Sequence, residues 1–294
     1  MKHQANLSIV IPAYNEGENL QEILPGFIAK CNTENWNIIV VNDGSDDDTL
    51  KILSDYITED NFTFISHKLN RGYGAAIKSG INICDTEYVI SVDADGQHRI
   101  EDVENLYKKM LETNADLVVG SRKGAKNTGN FRKFGKWIIR ILAKMLMPVP
   151  IHDINSGMKI YRTELVKKYI GMTPDTMSFS DIITLIFISY KYYVIEEPIN
   201  VQKRISGKSK IRLETAFQTV MEIINIVILF NPAKIFLPIS IICIIVGLII
   251  GIPILIAGNG VSTGSLLAIF SGVLFFLLGL IAEQLSMIRR NRDK

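Results

Sequence analysis

Tyr88-Val89-Ile90-Ser91-Val92-Asp93-Ala94-Asp95-Gly96-Gln97-His98 is the stretch whose reading decides the fold. A mostly apolar run that ends abruptly in two carboxylates and a glycine is how a buried strand delivers ligands to its carboxyl end, where open α/β sheets place their crevices. Carboxylates separated by one residue point the same way on an extended chain. Hard oxygen ligands of this kind suit Mg²⁺ or Mn²⁺ bridging a diphosphate, and Gln97 adds a neutral oxygen. Taken alone, an Asp-X-Asp is more often a solvated strand end, so its surroundings must carry the reading.

Working outward, residues 1–120 alternate short β-branched runs with amphipathic segments, which predicts a mostly parallel sheet with helices on both faces. The expected strands are Leu7–Ile11, Asn37–Val41, Phe62–Ser66, Glu87–Val92 and Asp116–Gly120. Helices are expected over Glu18–Cys31, Asp47–Tyr56, Gly74–Ile83 and Ile100–Glu112. Most strands end in residues useful at a binding crevice: Pro12-Ala13-Tyr14-Asn15-Glu16, Asn42-Asp43-Gly44-Ser45 and Ser121-Arg122. Asp43 follows Ile38-Ile39-Val40-Val41 and is placed to accept hydrogen bonds from a base or ribose. Asp46 to Asp48 precede a helix and read as caps or solvated charges. Asn70-Arg71-Gly72-Tyr73-Gly74 resembles a phosphate loop, yet Ile77 stands at the third glycine position of a dinucleotide fingerprint, which argues against a Rossmann dehydrogenase. Gly207-Lys208-Ser209 lacks the upstream glycine of a P-loop, Gln202 standing there, and a P-loop ATPase is excluded.

The chain has 294 residues, of which 48% are hydrophobic, and the excess lies at the end. Ile235 to Ala257 and Val261 to Ala282 carry no charge. About 22 residues at ~1.5 Å each span the ~30 Å hydrocarbon layer, so both read as transmembrane helices, with a very apolar core hairpin as the rival. Only Gly258-Asn259-Gly260 separates them, predicting a tight antiparallel hairpin. Lys203, Arg204, Lys208, Lys210 and Arg212 precede it; Arg289, Arg290, Arg292 and Lys294 follow. The positive-inside rule therefore places both termini and the catalytic part in the cytoplasm. Strand-like sequence starts at Leu7, with no signal peptide before it. Cys31, Cys84 and Cys243 are too scattered for a disulfide framework or a zinc site, in keeping with a reducing compartment.

From Leu117 to His152 basic residues are dense, and Arg132, Lys136, Arg140 and Lys144 recur every four residues on one helical face. Phe134, Trp137, Ile141, Leu142 and Met145 form an apolar counterface. This reads as a basic amphipathic helix, about 131–147, lying in the headgroup layer; nucleic-acid binding, the rival use of such a charge run, has no other support here. Residues 213–232 read as a second interfacial helix leading to the membrane. The expected organisation is thus a catalytic domain over 1–212, a juxtamembrane helix over 213–232, a hairpin over 233–288 and a basic tail over 289–294.

Five motifs in order now resemble a known family. They are Ile11-Pro12-Ala13-Tyr14-Asn15-Glu16, Val41-Asn42-Asp43-Gly44-Ser45-Asp46-Asp47-Asp48-Thr49, Asp93-Ala94-Asp95-Gly96-Gln97-His98, Ser156-Gly157-Met158-Lys159 and Arg204-Ile205-Ser206-Gly207-Lys208-Ser209-Lys210. Across Leu7 to Arg212 the chain is similar to the polyprenyl-phosphate glycosyltransferases of family 2, the dolichol-phosphate mannose synthase type. The resemblance implies a Rossmann-like α/β GT-A fold and inverting transfer from a nucleotide-sugar, of the GDP-mannose or UDP-hexose type, to dolichyl or undecaprenyl phosphate. It implies that Pro12, Ala13, Tyr14, Glu16, Val41, Asp43, Asp93 and Ala94 bind the nucleotide-sugar. Asp93, Asp95 and Gln97 would hold Mg²⁺ or Mn²⁺, and Asp95, Arg204 and Lys210 would act on the diphosphate. Arg122, Arg132 and Lys136 match positions that grip the lipid phosphate; Lys136 replaces a common Ser, and Met158-Lys159 the commoner Phe-Arg. Asp153 and Asp181 read as structural rather than as a base. Three rivals share parts of this pattern. A processive polysaccharide synthase would want Gln-X-X-Arg-Trp, but Ile205 follows Arg204; a soluble sugar nucleotidyltransferase has no use for the hairpin; a membrane-anchored scaffold has no need of the full ligand set. Homo-oligomer formation through the hairpin is compatible with the sequence.

Overall fold

The structure, a computed structural model, describes residues 6–122, 150–202, 221, 228 and 231–292. They fall in two compact units, one holding 6–122 with 150–202 and the other 231–292.

The first unit is built on seven strands: β1 (Leu7–Ala13), β2 (Asn37–Asn42), β3 (Phe62–Ser66), β4 (Tyr88–Ser91), β5 (Leu117–Ser121), β6 (Lys159–Arg162) and β7 (Val194–Pro198). Their order across the sheet is β3-β2-β1-β4-β6-β5-β7. β1 pairs in parallel with β2 and β4, β2 with β3, and β5 with β7. β6 runs antiparallel between β4 and β5. All seven β1 residues are buried, because side chains leaving both faces meet helices. On one face Ile9, Ile11, Ile38, Val40 and Ile90 pack with Leu20, Leu24 and Phe27 of α1 (Gly17–Glu34) and Val103, Leu106 and Met110 of α4 (Ile100–Thr113). On the other, α3 (Tyr73–Ile83) comes so close that a Cβ on Gly80 would stand 2.5 Å from Val10 Cγ1. Between them in sequence lies α2 (Thr49–Ser54), and α5 (Thr163–Tyr169) and α6 (Phe179–Ser189) follow β6. Asn35 and Asn114 end α1 and α4 in the left-handed conformation that terminates helices.

The mixed α/β sheet agrees with the expectation, and its five expected strands all form, within two residues at either end. Two differences matter. β6 and β7 had no sequence expectation, and β6 separates β4 from β5, so the half of the sheet beyond β4 is not a continuation of the parallel order. The two inserted hydrogen-bond ladders set β4's second neighbour, and with it the residues that face Asp93.

The second unit pairs α7 (Ala233–Ile256) with α8 (Thr263–Arg292). Gly247 and Gly251 meet Ser265, and Gly279 meets Phe236, so the helices run antiparallel as expected. Ser240 Oγ donates to the Gly272 carbonyl and Ser265 Oγ to that of Gly247, both at 2.7 Å, the small-residue and hydroxyl packing by which helices associate in lipid. Elsewhere the apolar side chains face outward: Ile249 is 66% exposed, Leu267 65% and Ile256 80%. A soluble core hairpin would bury them. Both helices are long and apolar enough to cross a membrane. α8 continues well past the expected end at Ala282. The expected helix over 131–147 lies outside the described residues, as does nearly all of 213–230.

Candidate active site

The carboxyl ends of β1 and β2 lie side by side, Pro12 opposite Val41 and Ala13 opposite Asn42. Beyond them the chain turns at Asn15, held at φ 55°. The turn is tied to the loop after β2: Asn15 N–H donates to Ser45 Oγ (3.0 Å), Asp46 N–H to Asn15 Oδ1 (2.9 Å) and Glu16 N–H to Thr49 Oγ1 (3.2 Å). Asp47 accepts from Gly17 N–H at the start of α1 and from Thr49 N–H at the start of α2, each at 3.0 Å. Its capping role is the one expected. Burial pushes its carboxyl up, but the hydrogen bonds from Thr49 and Gly17 outweigh that and hold it below the ordinary value.

Asp43, only 2% exposed, sits at the end of β2. A buried carboxylate must be compensated. Its Oδ1 lies 2.6 Å from His67 Nδ1 and accepts from Arg71 N–H (2.9 Å), while Oδ2 accepts from Gly72 N–H (2.8 Å). His67 Nε2 lies 2.9 Å from Ser79 Oγ; with the proton on Nδ1, the ring donates to Asp43 and accepts from the serine hydroxyl. Asp43 therefore builds the 67–72 loop. Gly44, at φ 70°, lets that loop press on the backbone, where a Cβ would meet Leu69 C at 2.5 Å.

The glycines of Asn70-Arg71-Gly72-Tyr73-Gly74 do not cradle a phosphate. Gly74 and Ala75 N–H both donate to the Asp175 carbonyl, at 2.9 and 3.3 Å, and a Cβ on Gly74 would stand 2.4 Å from the Pro174 carbonyl oxygen. The chain's own 173–176 segment fills the amino end of α3, which corrects the phosphate-loop resemblance.

Asp93 and Asp95 leave the end of β4. Asp95 is 8% exposed and its Oδ1 accepts from Gln97 N–H (3.1 Å), a local turn completed by Gly96 at φ 72°. Gln97 is tied to Gln202, whose N–H donates to the Gln97 carbonyl (3.0 Å) and whose own carbonyl accepts from Gln97 Nε2 (3.4 Å). Asp93 N–H donates to His98 Nδ1 (3.2 Å). The Asp93 carboxylate accepts from the Tyr73 hydroxyl at 2.8 Å, and behind it stands Gly157, where a Cβ would fall 2.2 Å from Oδ2. Burial and the neighbouring Asp93 charge raise the Tyr73 phenol well above its ordinary value, so it remains a donor. Among the described residues no three His, Cys, Asp or Glu side chains form a closed cation cage. Two carboxylates one residue apart suit a cation of the Mg²⁺ type, which takes one or two carboxylates and fills its remaining positions with phosphate oxygens and water.

Arg122 lies at the end of β5. Its Nε and Nη2 grip Asp153 at 2.7 and 2.8 Å, and Nη2 also meets Asn155 Oδ1 at 2.9 Å. The hydrogen bond to Asp153 raises its pKa, so the guanidinium is charged throughout. Lys159 is fully buried and donates to the Ile154 (2.6 Å) and Ser180 carbonyls. Desolvation lowers its pKa, while Asp181 and Asp153 oppose the shift. Asp93, Asp153 and Asp181 thus share one electrostatic cluster with Arg122 and Lys159. Arg132, Lys136, Arg204 and Lys210 lie outside the described residues. His67, Tyr73 and Gly157 contact the expected carboxylates although sequence reasoning gave none of them that role. Only the Ser-Gly motif around Gly157 offered a signal.

Comparison with known proteins accounts for both units. The family model described as GtrB C-terminal hairpin matches residues 231–288. Dodecaprenyl-phosphate galacturonate synthase of Rhizobium johnstonii is 24% identical over 95% of this chain and 87% of its own. Undecaprenyl-phosphate 4-deoxy-4-formamido-L-arabinose transferase of Pseudomonas savastanoi is 29% identical over 95% and 85%. Among solved structures, glucosyl-3-phosphoglycerate synthase from Mycobacterium tuberculosis, in complex with Mn²⁺, uridine-diphosphate-glucose and phosphoglyceric acid, shares the fold with a TM-score of 0.59 at 15% identity, over 76% of this chain and 80% of that one. The model of Glycosyl transferase family 2 matches residues 8–170, more than half of the sequence and the whole of the crevice from β1 to Gly157, and the chain belongs to that family.

Proposed function

We propose that the protein transfers a sugar from a nucleotide-sugar to a polyprenyl phosphate at the cytoplasmic face of a membrane, with inversion at the anomeric carbon. The observation that carries this reading is the combination, in one chain, of a paired-carboxylate crevice with a lipid-facing hairpin. Relatives named for dodecaprenyl- and undecaprenyl-phosphate match that combination nearly end to end.

In this reading the catalytic part is 1–212. Pro12, Ala13, Tyr14, Glu16, Val41 and Asp43 border the nucleoside, and Asp93, Ala94, Asp95 and Gln97 the diphosphate. Asp93, Asp95 and Gln97 would hold Mg²⁺ or Mn²⁺. A divalent cation held there would supply positive charge against the departing diphosphate. Arg204 and Lys210 would add cationic donors to the diphosphate. Arg122, Arg132 and Lys136 orient the acceptor phosphate. Its second pKa is about 6, so at neutral pH its oxygen attacks as an anion. A bond forms from that oxygen to the anomeric carbon as the bond to the diphosphate breaks and takes its electron pair. No proton has to be removed, so Asp153 can remain committed to Arg122. The hairpin anchors the chain in the membrane that carries the lipid phosphate, with both termini cytoplasmic.

The test is incubation of the detergent-solubilised full chain with Mn²⁺ or Mg²⁺, undecaprenyl or dolichyl phosphate and a panel of nucleotide-sugars, following label into the organic phase. Metal-dependent transfer from one donor is expected. Donor turnover without a lipid product overturns the acceptor; no turnover with any donor overturns the enzyme reading.

A further inference from the structure

We propose that Tyr73 is a positioning residue that joins the two ends of the donor site, holding Asp93 in its cation-binding orientation through the phenol hydroxyl. The inference rests on the reading of Asp93 given above and assigns a role to a residue outside the motifs that suggested it.

The geometry is specific. Gly72 N–H donates to Asp43 Oδ2 at 2.8 Å, and the next residue's hydroxyl donates to Asp93 Oδ1, also at 2.8 Å. The dipeptide Gly72-Tyr73 therefore links the carboxylate at the end of β2 to the one at the end of β4. Its backbone is fixed from behind. Gly74 N–H is bound to the Asp175 carbonyl at 2.9 Å, and Lys78 Nζ donates to Asp175 Oδ1 at 2.9 Å and to the Thr173 carbonyl. The ring cannot retreat without disturbing this contact. Gly157 lies close against the same carboxylate, where an added Cβ would stand 2.5 Å from Oδ1.

A carboxylate on an open strand end turns freely about its last torsion, and that freedom is lost when a cation is bound. One hydroxyl on Oδ1 removes the freedom in advance and leaves the other lone pairs available. This is the way outer hydrogen bonds orient carboxylate ligands, and their loss costs about 10–100-fold in metal affinity.

Tyr73→Phe keeps the ring and removes only the hydroxyl. Mn²⁺ binding to the full-length protein, in the presence of UDP and separately of GDP, is read by the electron paramagnetic resonance of free Mn²⁺, beside the half-saturating Mn²⁺ for sugar transfer. Both constants are expected to rise about tenfold, with the melting temperature within about 2 °C of wild type. Asp93→Asn supplies the cycle: adding Tyr73→Phe to it should weaken Mn²⁺ binding no further. Unchanged Mn²⁺ affinity in Tyr73→Phe, or additive losses in the double variant, overturns the proposal and leaves the proposed function standing. Wild-type protein that shows no nucleotide-dependent Mn²⁺ binding overturns the metal reading itself, and the role of Tyr73 with it.

Discussion

Replacing Gly157 by Ala tests how closely the structure sets the Asp93 carboxylate. Gly157 is not among the glycines at positive φ, so its backbone accepts an alanine and the effect is steric. The new Cβ would stand 2.2 Å from Oδ2, 2.5 Å from Oδ1 and 2.6 Å from Cγ of Asp93, where ordinary contact begins near 3.4 Å. The strand cannot relieve this by sliding, because Ser91 Oγ, on the strand that carries Asp93, donates to the Gly157 carbonyl at 2.8 Å. The carboxylate must retreat by about 1 Å, and a displacement of that size at a reacting centre costs ~100-fold in rate. That is about 2.7 kcal/mol of transition-state stabilisation. Overpacking costs about 1–3 kcal/mol of stability, so the variant should fold with a lower melting temperature. Gly26→Ala in α1, where an added Cβ meets nothing within 4 Å, is the control. Transfer of label into lipid is measured for both, with melting followed by intrinsic fluorescence. A Gly157→Ala enzyme within threefold of wild type would refute the placement of Asp93 against Gly157.

Three more outcomes are expected. Asp95→Ala should lower transfer by at least ~100-fold in a protein that still folds; retention of a tenth of the activity would contradict its role. His67→Ala withdraws the imidazole from Asp43 and should raise the donor KM about tenfold with a smaller change in kcat, whereas a pure kcat effect would separate Asp43 from nucleoside binding. Asp47→Ala removes a cap shared by α1 and α2 and should cost about 1 kcal/mol at pH 7. The folded pKa of Asp47 lies below its unfolded value of about 3.9, so its contribution is present above that pH and disappears as pH falls through the folded value. Melting curves of wild type and Asp47→Ala should therefore converge as the pH falls; a gap that does not narrow in acid would contradict the capping geometry.

The strands flanking the crevice were legible because both of their faces are buried: Ile9, Val10 and Ile11 leave no polar position to interrupt the run. β6 was not, since Lys159-Ile160-Tyr161-Arg162 has a charge at each end. Its first lysine is an interior residue only because Ile154 and Ser180 supply carbonyls to it. The membrane hairpin was legible from charge alone, though not the continuation of its second helix beyond Ala282. At the site, the spacing of Asp93 and Asp95 was enough to find the carboxylates. Their partners were hidden, because Tyr73 stands 20 residues before Asp93 and Gly157 reaches β4 across 66 residues, separations without a periodic signal. The glycines at 72 and 74 misled for a physical reason. Close approach of a phosphate and close approach of a backbone carbonyl ask for the same missing side chain, and here the carbonyls of Pro174 and Asp175 take the place.

The same accounting separates what Asp43 and Asp93 can do. A carboxylate carries about four acceptor positions. Asp43 gives three of them to His67, Arg71 and Gly72, and those bonds are what make its burial tolerable. Little is left for a ligand beyond one directed contact, which suits recognition of a single N–H or O–H of a nucleoside. Among the described residues, Asp93 is half-buried, receives the Tyr73 hydroxyl, and feels the charges of Arg122 and Lys159 at longer range. In the function proposed above, a divalent cation would supply the positive charge that bridges this carboxylate to phosphate. The fold thus commits Asp43 to shaping the 67–72 loop, while Asp93 takes, among the described residues, the hydroxyl of Tyr73, the contact on which the proposed positioning role rests.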